Sequence, residues 1–436
     1  MRLPAAYVRQ YYAGSPEDKI FAFCLEMTES FSVRKINFMK IRQAVILAGG
    51  YGTRLSPFTD TNPKPMYPFE GKPFLEYLIK QVKSFGITEI ILLLGYLPEK
   101  VTDYFGDGSQ WGMQIRYSVT PVEYETGLRI KSAAELLDET FLLMYCDNYC
   151  PVDFKKLLSL YETSGAELCF TVYRNLDGYT KNNLRIADDG KVEVYDKKRQ
   201  TPGLQGVDIG YALVNRRVLE LLPEENHNFE AVVYPTLVEK ESLYAFTTEH
   251  RYYSVGSWER IELTRTFFSP RKFVFLDRDG TLNVRPPRAC YIERPEDFVW
   301  LPGAREAVAR LKKAGYTLIL ISNQPGIARG RLTEETLSAI HQKMQNDLRE
   351  AGGEVDHIYY CPHNWDDGCE CRKPRPGMFF QAQKEFSLDL TRCIMYGDDE
   401  RDMEAAQAAG CPCELITEDY PLAAAVDRLL AEERLG

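Results

Sequence analysis

Short apolar runs alternate along the chain with segments whose apolar residues recur at helical spacing. The first run, 44–48, ends in a glycine-rich turn, and an amphipathic helix is predicted over 74–85 before a second run at 89–94. Similar runs follow at 141–145, 273–276, 316–322 and 393–396. Because strands that alternate with helices form mostly parallel sheets with helices on both faces, the pattern predicts an α/β fold.

This alternation is interrupted near residue 270 and then starts again. The segment from Phe267 to Lys272 precedes a new apolar strand, and acidic residues follow that strand directly. A chain of 436 residues also exceeds what one hydrophobic core usually supports. We therefore predict two doubly wound, Rossmann-like domains at 43–268 and 271–436. Residues 1–42 form an N-terminal extension without a recognisable motif, in which Met39 could be an alternative start.

Composition narrows the classes of protein that remain. Apolar residues make up 44% of the chain and charged residues 27%, which is typical of globular proteins. The formal net charge of −10, without a basic run, argues against a nucleic-acid or anionic-membrane partner. No signal peptide or long apolar segment is recognisable. The 11 cysteines are scattered over two large domains, so we expect reduced thiols and a cytoplasmic location.

The glycine-rich turn after the first apolar run carries the first candidate chemistry. It contains Gly49, Gly50 and Gly52, followed by Thr53 and Arg54. Glycines at the carboxyl end of a strand let backbone N–H groups approach a phosphate chain, and the arginine adds a bidentate cation. The alternative interpretation is a tight strand-to-helix turn with a surface arginine.

Two lysines follow this turn, Lys64 in a Pro-Lys-Pro element and Lys72 in a Gly-Lys-Pro element. Together with the turn at 47–55, these residues resemble the sugar-1-phosphate nucleotidyltransferases, and the likeness covers about 43–265. The resemblance implies a glycosyltransferase-A-like fold. It also implies a reaction in which a sugar phosphate attacks the α-phosphorus of a nucleoside triphosphate and releases pyrophosphate.

The same resemblance assigns roles to individual residues. Arg54 and Lys64 would neutralise charge on the phosphates, and Asp147, at the end of the run 141–145, would hold Mg²⁺. The alternatives are an exposed carboxylate at a strand end and solvated cations. The residues implied to contact the nucleotide are Leu47, Gly49, Gly50, Gly52 and Thr53, and those implied to contact the sugar phosphate are Lys197 and Asp208.

Two departures from this family matter for the chemistry. Ser254 stands where the family usually has a second metal-binding aspartate, so either one metal suffices, or Asp208 or Glu259 substitutes, or transfer is poor. The segment 125–131 differs from the glycine-rich turn of heptose and mannose guanylyltransferases and is closer to glucose-1-phosphate cytidylyltransferases. This segment leaves the nucleotide base open. GTP is favoured as the partner only through the pairing with the second module described below, and CTP is also possible.

In the second module, Asp277 and Asp279 follow the strand 273–276 directly. Two carboxylates at this spacing can divide the work of phosphate removal, one attacking phosphorus and the other acting as general acid and base. A strand that ends in a polar loop is the alternative. Further polar elements follow at strand ends, with Ser322 and Asn323 in one, Lys373 in another and Asp398 in the last.

These elements match the haloacid-dehalogenase-type phosphatases over 271–436. The resemblance implies that Asp277 is the nucleophile, that Asp279 is the acid and base, and that Ser322 and Lys373 bind the transferring phosphoryl group. Asn323 would contribute to the same phosphate site. Mg²⁺ would be held by Asp277, Asp279 and Asp398, with Asp402 in a supporting position.

A cysteine- and histidine-rich loop precedes Lys373. Cys361, His363, Cys369 and Cys371 provide three thiolates and one imidazole within eleven residues, which is typical of a closed structural Zn²⁺ site. Disulfides are a poor alternative in a reducing compartment.

This loop, with the segment 326–330, resembles the heptose-1,7-bisphosphate 7-phosphatases, although histidinol-phosphate phosphatases share most of it. The resemblance makes Arg329 and Arg372 candidates for binding a second phosphate, and Asp399 replaces a lysine that is usual after the metal aspartate. Removing the 7-phosphate would give the heptose 1-phosphate that the first module activates. The rivals are a cytidylyltransferase for another sugar or polyol phosphate, and a retired, regulatory first module. A homo-oligomer is possible.

Overall fold

The computed structural model describes residues 41–435, with side chains to residue 432. The N-terminal extension predicted for 1–42 therefore lies outside the described residues, apart from Ile41 and Arg42. Residues 41–268 contain the strands β1 Gln43–Ala48, β2 Pro68–Phe69, β3 Lys72–Pro73, β4 Glu89–Leu94, β5 Gln114–Val119, β6 Thr140–Tyr145, β7 Asn148–Tyr149, β8 Leu168–Tyr173, β9 Leu184–Ile186, β10 Val192–Tyr195, β11 Val207–Asn215, β12 Leu243–Thr248 and β13 Tyr253–Ser254. Their helices are α1 Phe74–Ser84, α2 Pro98–Phe105, α3 Thr126–Ser132, α4 Phe154–Ser164, α5 Phe229–Glu239 and α6 Trp258–Phe268.

Seven of these strands form one mixed sheet in the order β12-β8-β11-β6-β1-β4-β5. β11 runs antiparallel to both β6 and β8, and the other neighbouring strands pair in parallel. Helices cover both faces, so the central strands are buried on both sides and consist of almost continuous apolar residues. The turn after β1 and the residue after β6 consequently meet at one edge of the sheet.

The remaining residues form a second α/β unit. Its strands are β14 Lys272–Leu276, β15 Tyr316–Asn323, β16 His357–Cys361, β17 Ile394–Gly397 and β18 Cys413–Leu415, and its helices are α7 Ala304–Lys313, α8 Glu334–Glu350, α9 Gly377–Phe386, α10 Glu400–Ala408 and α11 Leu422–Leu435. The sheet order is β16-β15-β14-β17-β18, with every pair parallel. β14 is the central strand, which places the residues that follow it between those that end β15 and β17.

The α/β fold with two sheets is confirmed. α6 ends at Phe268 and β14 begins at Lys272, so the connection between the two sheets is short. Polar contacts join the units beside this connection. The backbone N–H of Arg251 donates to Gln383 Oε1 over 3.1 Å, and Arg251 Nη1 donates to the Lys384 carbonyl over 3.0 Å. None of the helices in the described part of the chain is long and apolar enough to cross a membrane.

Candidate active sites

The carboxyl ends of β14, β15 and β17 bring the acidic and basic residues of the second domain together. Lys373 Nζ lies 2.6 Å from Asp277 Oδ1 and 2.6 Å from Asp402 Oδ1, and it donates to the Ile321 carbonyl over 2.8 Å. Asp277, Lys373 and Asp402 are all buried. Burial alone would lower the pKa of Lys373, but the attraction of Asp277 and Asp402 raises it. The lysine is therefore a fixed cation beside the predicted nucleophile.

A group of three carboxylates forms around this lysine. Asp277, Asp398 and Asp402 each place an oxygen within 4.8 Å of the others. Burial, opposed by Lys373 and reinforced by Asp402 and Asp279, raises the pKa of Asp277 to about 7, and burial raises that of Asp398 to about 6. Asp398 Oδ1 is buried without a hydrogen-bond partner. Carboxylates that repel one another, one of them with an oxygen that lacks a donor, fit a divalent cation such as Mg²⁺.

Gly280 permits the approach of Asp398 to this group. A Cβ on Gly280 would lie 1.8 Å from Asp398 Oδ2, and the residue has a positive φ of 102°. Any other residue would therefore push Asp398 away from the end of β14. The glycine that follows Asp279 in sequence is thus required by packing as well as by backbone conformation.

Asp279 lies outside the three-carboxylate group, although the sequence predicted it as a magnesium ligand. Its carboxylate accepts two hydrogen bonds from the buried Arg278, at 3.1 and 2.8 Å, and others from Asn283 and Gln324. Burial would raise the pKa of Asp279, but Arg278 outweighs it and lowers the pKa. Asp402 rather than Asp279 lies with Asp277 and Asp398 in this group, while Arg278 binds the Asp279 carboxylate. The magnesium role of Asp279 stays a prediction.

Ser322 and Asn323, the two residues at the end of β15 that were predicted to bind phosphate, make different side-chain contacts. Ser322 is buried, and its hydroxyl accepts a hydrogen bond from Gln324 Nε2 over 2.8 Å. The Asn323 side-chain amide donates to the Lys373 carbonyl and accepts from the Lys373 N–H, both over 3.0 Å. The Asn323 side chain is therefore engaged with the Lys373 backbone, and phosphate binding by Asn323, which lines the same cavity as Asp277, stays a prediction.

A cavity of about 880 Å³ opens above these residues. Arg329 and Arg372, predicted for a second phosphate, both line it. Arg329 donates to Asn364 Oδ1 and to the Tyr291 hydroxyl, over 3.0 and 2.5 Å, and Arg372 donates to the His363 carbonyl over 3.3 Å. Among the described side chains, neither guanidinium forms an ion pair with a carboxylate, so both are available to bind an anion.

Asp399 stands where the phosphatase family usually has a lysine, and two arginines neutralise the charge of its carboxylate. It pairs with Arg285, which also lies 3.1 Å from Asp398 Oδ2, and with Arg401 Nε over 2.7 Å. The hydrogen bond from Arg401 is the main cause that lowers the pKa of Asp399. Asp399 also caps α10 through a capping box with Asp402. Sequence reasoning missed Arg285, which lies in a loop without a motif.

The four predicted zinc ligands lie together in the loop after β16. Cys361 Sγ is 3.6 Å from both His363 Nδ1 and Cys369 Sγ, and His363 Nδ1 is 3.3 Å from Cys371 Sγ. All four ligand atoms lie within 4.8 Å of one another. A tetrahedral site with Zn–S bonds of about 2.3 Å places its ligands about 3.8 Å apart. The donor set and its dimensions therefore fit Zn²⁺.

In the first domain, the glycine-rich turn follows β1 as predicted, but its glycines have different roles. Gly50, Thr53 and Arg54 are exposed, whereas Gly49 and Leu47 are buried. A Cβ on Gly49 would lie 2.3 Å from Arg129 Cζ. Gly49 therefore admits a buried arginine side chain, and its small size is not explained by phosphate contact. Gly52 has a positive φ of 68°, which the turn requires.

Arg129 was not identified as important from sequence, apart from its place in the divergent segment 125–131. Its guanidinium donates to the backbone carbonyls of Leu94, Pro121, Val122 and Tyr124 and to Thr120 Oγ1. Desolvation lowers its pKa. The side chain thus ties the segment 120–124 to the end of β4, beside the glycine-rich turn.

Lys64 and Asp147, predicted as catalytic lysine and metal ligand, form an ion pair of 2.7 Å. Burial would raise the pKa of Asp147, but Lys64 and Arg54 lower it. Ser254 is next to this pair, because β13 pairs with β7 and the Val255 N–H donates to the Asp147 carbonyl over 3.0 Å. Within residues 41–435, Asp147 belongs to no group of three potential metal ligands.

Lys197 and Asp208, predicted for the sugar phosphate, lie with an acidic residue that sequence reasoning missed. Lys197 Nζ is 2.9 Å from Glu230 Oε2 and donates to Asn228 Oδ1 over 2.6 Å. Burial and then the charge of Glu230 raise the pKa of Asp208 to about 8. Glu230 lies in the first turn of α5 and belongs to no motif, so its proximity to Asp208 follows only from the fold.

Residues 43–264 match the nucleotidyl transferase family, and residues 211–410 match the haloacid dehalogenase-like hydrolases. The second match begins inside the first domain, although β14 starts at Lys272. The D-glycero-beta-D-manno-heptose-1,7-bisphosphate 7-phosphatase of Bordetella bronchiseptica is 44% identical over 145 residues, which cover 33% of this chain and 80% of the relative.

Two solved structures are similar to one domain each. A D,D-heptose 1,7-bisphosphate phosphatase from B. bronchiseptica, complexed with magnesium and phosphate, has 39% identity and a TM-score of 0.35, covering 37% of this chain and 99% of that one. HddC from Yersinia pseudotuberculosis, complexed with GMP-PN, has 25% identity and a TM-score of 0.43, covering 52% of this chain and 98% of that one.

Proposed function

Because the chain belongs to the nucleotidyl transferase family and to the haloacid dehalogenase-like hydrolases, it is a two-domain enzyme, and we propose that it carries out two steps of activated-heptose synthesis. The second domain would remove the 7-phosphate from D-glycero-D-manno-heptose 1,7-bisphosphate. The first domain would transfer a nucleotide, with GTP favoured, to the resulting heptose 1-phosphate. The observation that carries the proposal is the likeness to 7-phosphatases within a chain that also contains a nucleotidyl transferase domain.

In the proposed phosphatase reaction, Asp277 attacks the 7-phosphorus, the bond between phosphorus and the sugar oxygen breaks, and Asp279, protonated for this step, donates its proton to that oxygen. Lys373, held 2.6 Å from Asp277, reduces the repulsion between the carboxylate and the phosphate dianion. Mg²⁺, which Asp277 and Asp398 would hold, supplies further positive charge against the phosphoryl oxygens. The aspartyl-phosphate is then hydrolysed. Asp279, now a carboxylate that Arg278 stabilises, accepts a proton from the attacking water and is protonated again.

Specificity for a bisphosphate is supported by the charges around the cavity. Arg329 and Arg372 line it and bind neutral oxygens, so they can receive the 1-phosphate while the 7-phosphate lies at Asp277. A Zn²⁺ ion bound by Cys361, His363 and the two following cysteines would fix the loop that carries Arg372.

In the proposed nucleotidyl transfer, a phosphate oxygen of the heptose 1-phosphate attacks the α-phosphorus of the nucleotide, and pyrophosphate leaves. Arg54 and Lys64 would neutralise the phosphates at the edge of β1. Asp147 would provide one carboxylate for Mg²⁺. With Ser254 beside it, we favour catalysis with a single protein carboxylate on the metal. Lys197, with Asp208 and Glu230, would bind the sugar phosphate and its hydroxyls.

We expect purified enzyme with heptose 1,7-bisphosphate and Mg²⁺ to release one phosphate, and then to release pyrophosphate when GTP is added.

Arg54→Ala and Asp147→Asn should abolish pyrophosphate release and leave phosphatase turnover within a few-fold of normal, because the two sheets carry separate sites. ATP, CTP, UTP and dTTP are run in parallel. Phosphate release without pyrophosphate from any nucleotide would contradict the proposed transferase, and a preference for CTP would contradict the proposed base.

The proposed setting is the cytoplasm, as composition predicts. The rival with a retired first domain rests on Ser254. The same assay distinguishes this rival from the proposal, because a retired domain would release no pyrophosphate with any nucleotide or sugar 1-phosphate.

A further inference from the structure

Trp365 is exposed at the rim of the phosphatase cavity. With 73% of its surface accessible, it is the most exposed large apolar side chain in the described part of the chain. It lines the same cavity as Asp277 and Lys373. The nearby aromatic Tyr291 accepts a hydrogen bond from Arg329, whereas the indole of Trp365 has no such partner among the described residues. Single exposed apolar side chains are common on protein surfaces. Trp365 differs because it lines the cavity that contains Asp277 and Lys373, where a bound substrate can cover it.

The loop that carries Trp365 is held on both sides of this residue. The Asn364 N–H donates to Asp367 Oδ2 over 2.7 Å, and the Asn364 side chain accepts from Arg329 over 3.0 Å. The loop is also enclosed by the cysteine and histidine cluster, and Arg372 donates to the His363 carbonyl. The indole is therefore presented by an ordered turn, so covering it costs little additional loss of backbone freedom.

The composition of the cavity suggests what covers the indole. Its lining is charged and includes Asp277 and Lys373 together with Arg329 and Arg372. A sugar phosphate presents charge at its phosphates and an apolar C–H face on its ring between them. The phosphates can be matched by the cations, and the C–H face can be matched by an aromatic ring.

We propose that Trp365 determines the specificity of the phosphatase by packing its indole against the C–H face of the sugar whose phosphate lies at Asp277. The inference rests on the proposed function and adds a residue that recognises the sugar ring rather than its phosphates. Trp365 supplies binding that is equal in the ground state and the transition state, so its loss changes KM more than kcat.

The test compares wild type, Trp365→Ala and Trp365→Phe on two substrates, heptose 1,7-bisphosphate and acetyl phosphate. We expect Trp365→Ala to raise KM for the heptose bisphosphate roughly tenfold with kcat little changed, since removing one buried aromatic face has about that effect. Trp365→Phe should recover most of the loss. Acetyl phosphate, which has no ring to cover, should be hydrolysed equally by all three proteins.

Two controls separate this role from a structural one. Zinc content should be the same in all variants, and Trp258→Ala, which removes an exposed tryptophan of the first domain, should leave phosphatase kinetics unchanged. Adding heptose bisphosphate to Asp277→Asn protein should change tryptophan fluorescence, and the change should vanish in Asp277→Asn/Trp365→Phe.

An unchanged KM in Trp365→Ala, or an equal loss with acetyl phosphate, would overturn the role of Trp365 while leaving the proposed function intact. Failure of the wild type to hydrolyse heptose 1,7-bisphosphate, with acetyl phosphate still hydrolysed, would overturn the proposed function and this inference with it.

Discussion

Asp277 and Asp279 are two residues apart, but their surroundings give them different chemistry. Asp277 is buried against Lys373, and its pKa is raised to about 7 by removal from water and by neighbouring carboxylates. Asp279 is held by Arg278, which lowers its pKa. Arg278 itself is almost completely buried and also donates to Gln324. The side chain between the two aspartates in sequence therefore keeps them in separate roles.

We expect Asp277→Asn to reduce phosphatase turnover on the order of a thousandfold or more, because the amide keeps the shape and removes the nucleophile and a metal ligand. Asp279→Asn should slow both formation and hydrolysis of the aspartyl-phosphate, with good leaving groups affected least in the first step. Steady-state kinetics and rapid-quench labelling with a phosphorylated substrate measure both effects.

Zinc content and pyrophosphate release serve as controls in both variants, since neither property involves these aspartates. The assignment fails if wild-type enzyme accumulates the phosphoryl label on another residue. It fails equally if Asp277→Asn turns over at a near-normal rate.

The residues of the phosphatase site could be predicted because each motif follows an apolar strand, and the carboxyl ends of parallel strands meet at one edge of a sheet. Asp277, Ser322, Lys373 and Asp398 do converge in the structure. What sequence could not supply is the direction of each side chain. Asn323 binds the Lys373 backbone, and the space beside Gly49 is filled by Arg129, because these partners are distant in the chain.

At the level of elements, the loop between β16 and α9 connects metal binding to the active site. Cys361 ends β16, and Cys371 is followed directly by Arg372 and Lys373. A metal that fixes Cys371 therefore also restricts the position of the lysine that pairs with Asp277.

We expect about one tightly bound zinc per chain, and we expect Cys369→Ser to lower the stability of the second domain by more than about 4 kcal/mol, the range associated with loss of a structural metal. Metal analysis and urea unfolding followed by probes of each domain check this. Cys413→Ser is a matched control, because Cys413 lies outside the cluster. Protein with intact, reduced ligands and no zinc would contradict the structural site.

Six of the twelve strands in the two large sheets were predicted from apolar runs, since buried parallel strands carry little polar interruption. These are β1, β4, β6, β14, β15 and β17, and the other six were missed. β4 at Glu89–Leu94 matches its predicted range, and β15 extends only one residue beyond its own. The antiparallel direction of β11 was not predictable, because an apolar run contains no information on strand direction. Short pairs such as β7 with β13 were also missed, although they bring Ser254 beside Asp147.

At the level of the whole molecule, a buried histidine lies where the two domains meet. The His250 ring packs edge-on against Phe380, and Gln383 Nε2 lies 2.9 Å from His250 Nδ1. Gln383 is held in this orientation because its Oε1 accepts from the Arg251 N–H. His250 Nδ1 must then accept a hydrogen bond, and a protonated ring would place two donors against each other.

Burial lowers the pKa of His250 to about 4, with smaller opposing effects from the Ala409 backbone and Asp153 and a small additional lowering from Lys156. In the unfolded chain the pKa is about 6.5. Between these values the unfolded state binds a proton that the folded state excludes, so stability falls as pH decreases from about 6.5 towards 4. The expected loss between pH 8 and pH 5 is about 2 kcal/mol from this residue.

The effect of His250 can be isolated with His250→Gln, which keeps hydrogen-bonding capacity and cannot titrate. Urea midpoints of wild type and variant, measured at pH 8 and pH 5, should show a smaller pH dependence in the variant, by about 2 kcal/mol. His341, whose pKa burial and Arg278 lower to about 3, titrates in both proteins and cancels in the comparison. An equal pH dependence in the two proteins would mean that His250 is accessible to protons in the folded state. The domain contact would then be open in solution, and the packing of His250 between the two sheets could not hold them in one arrangement.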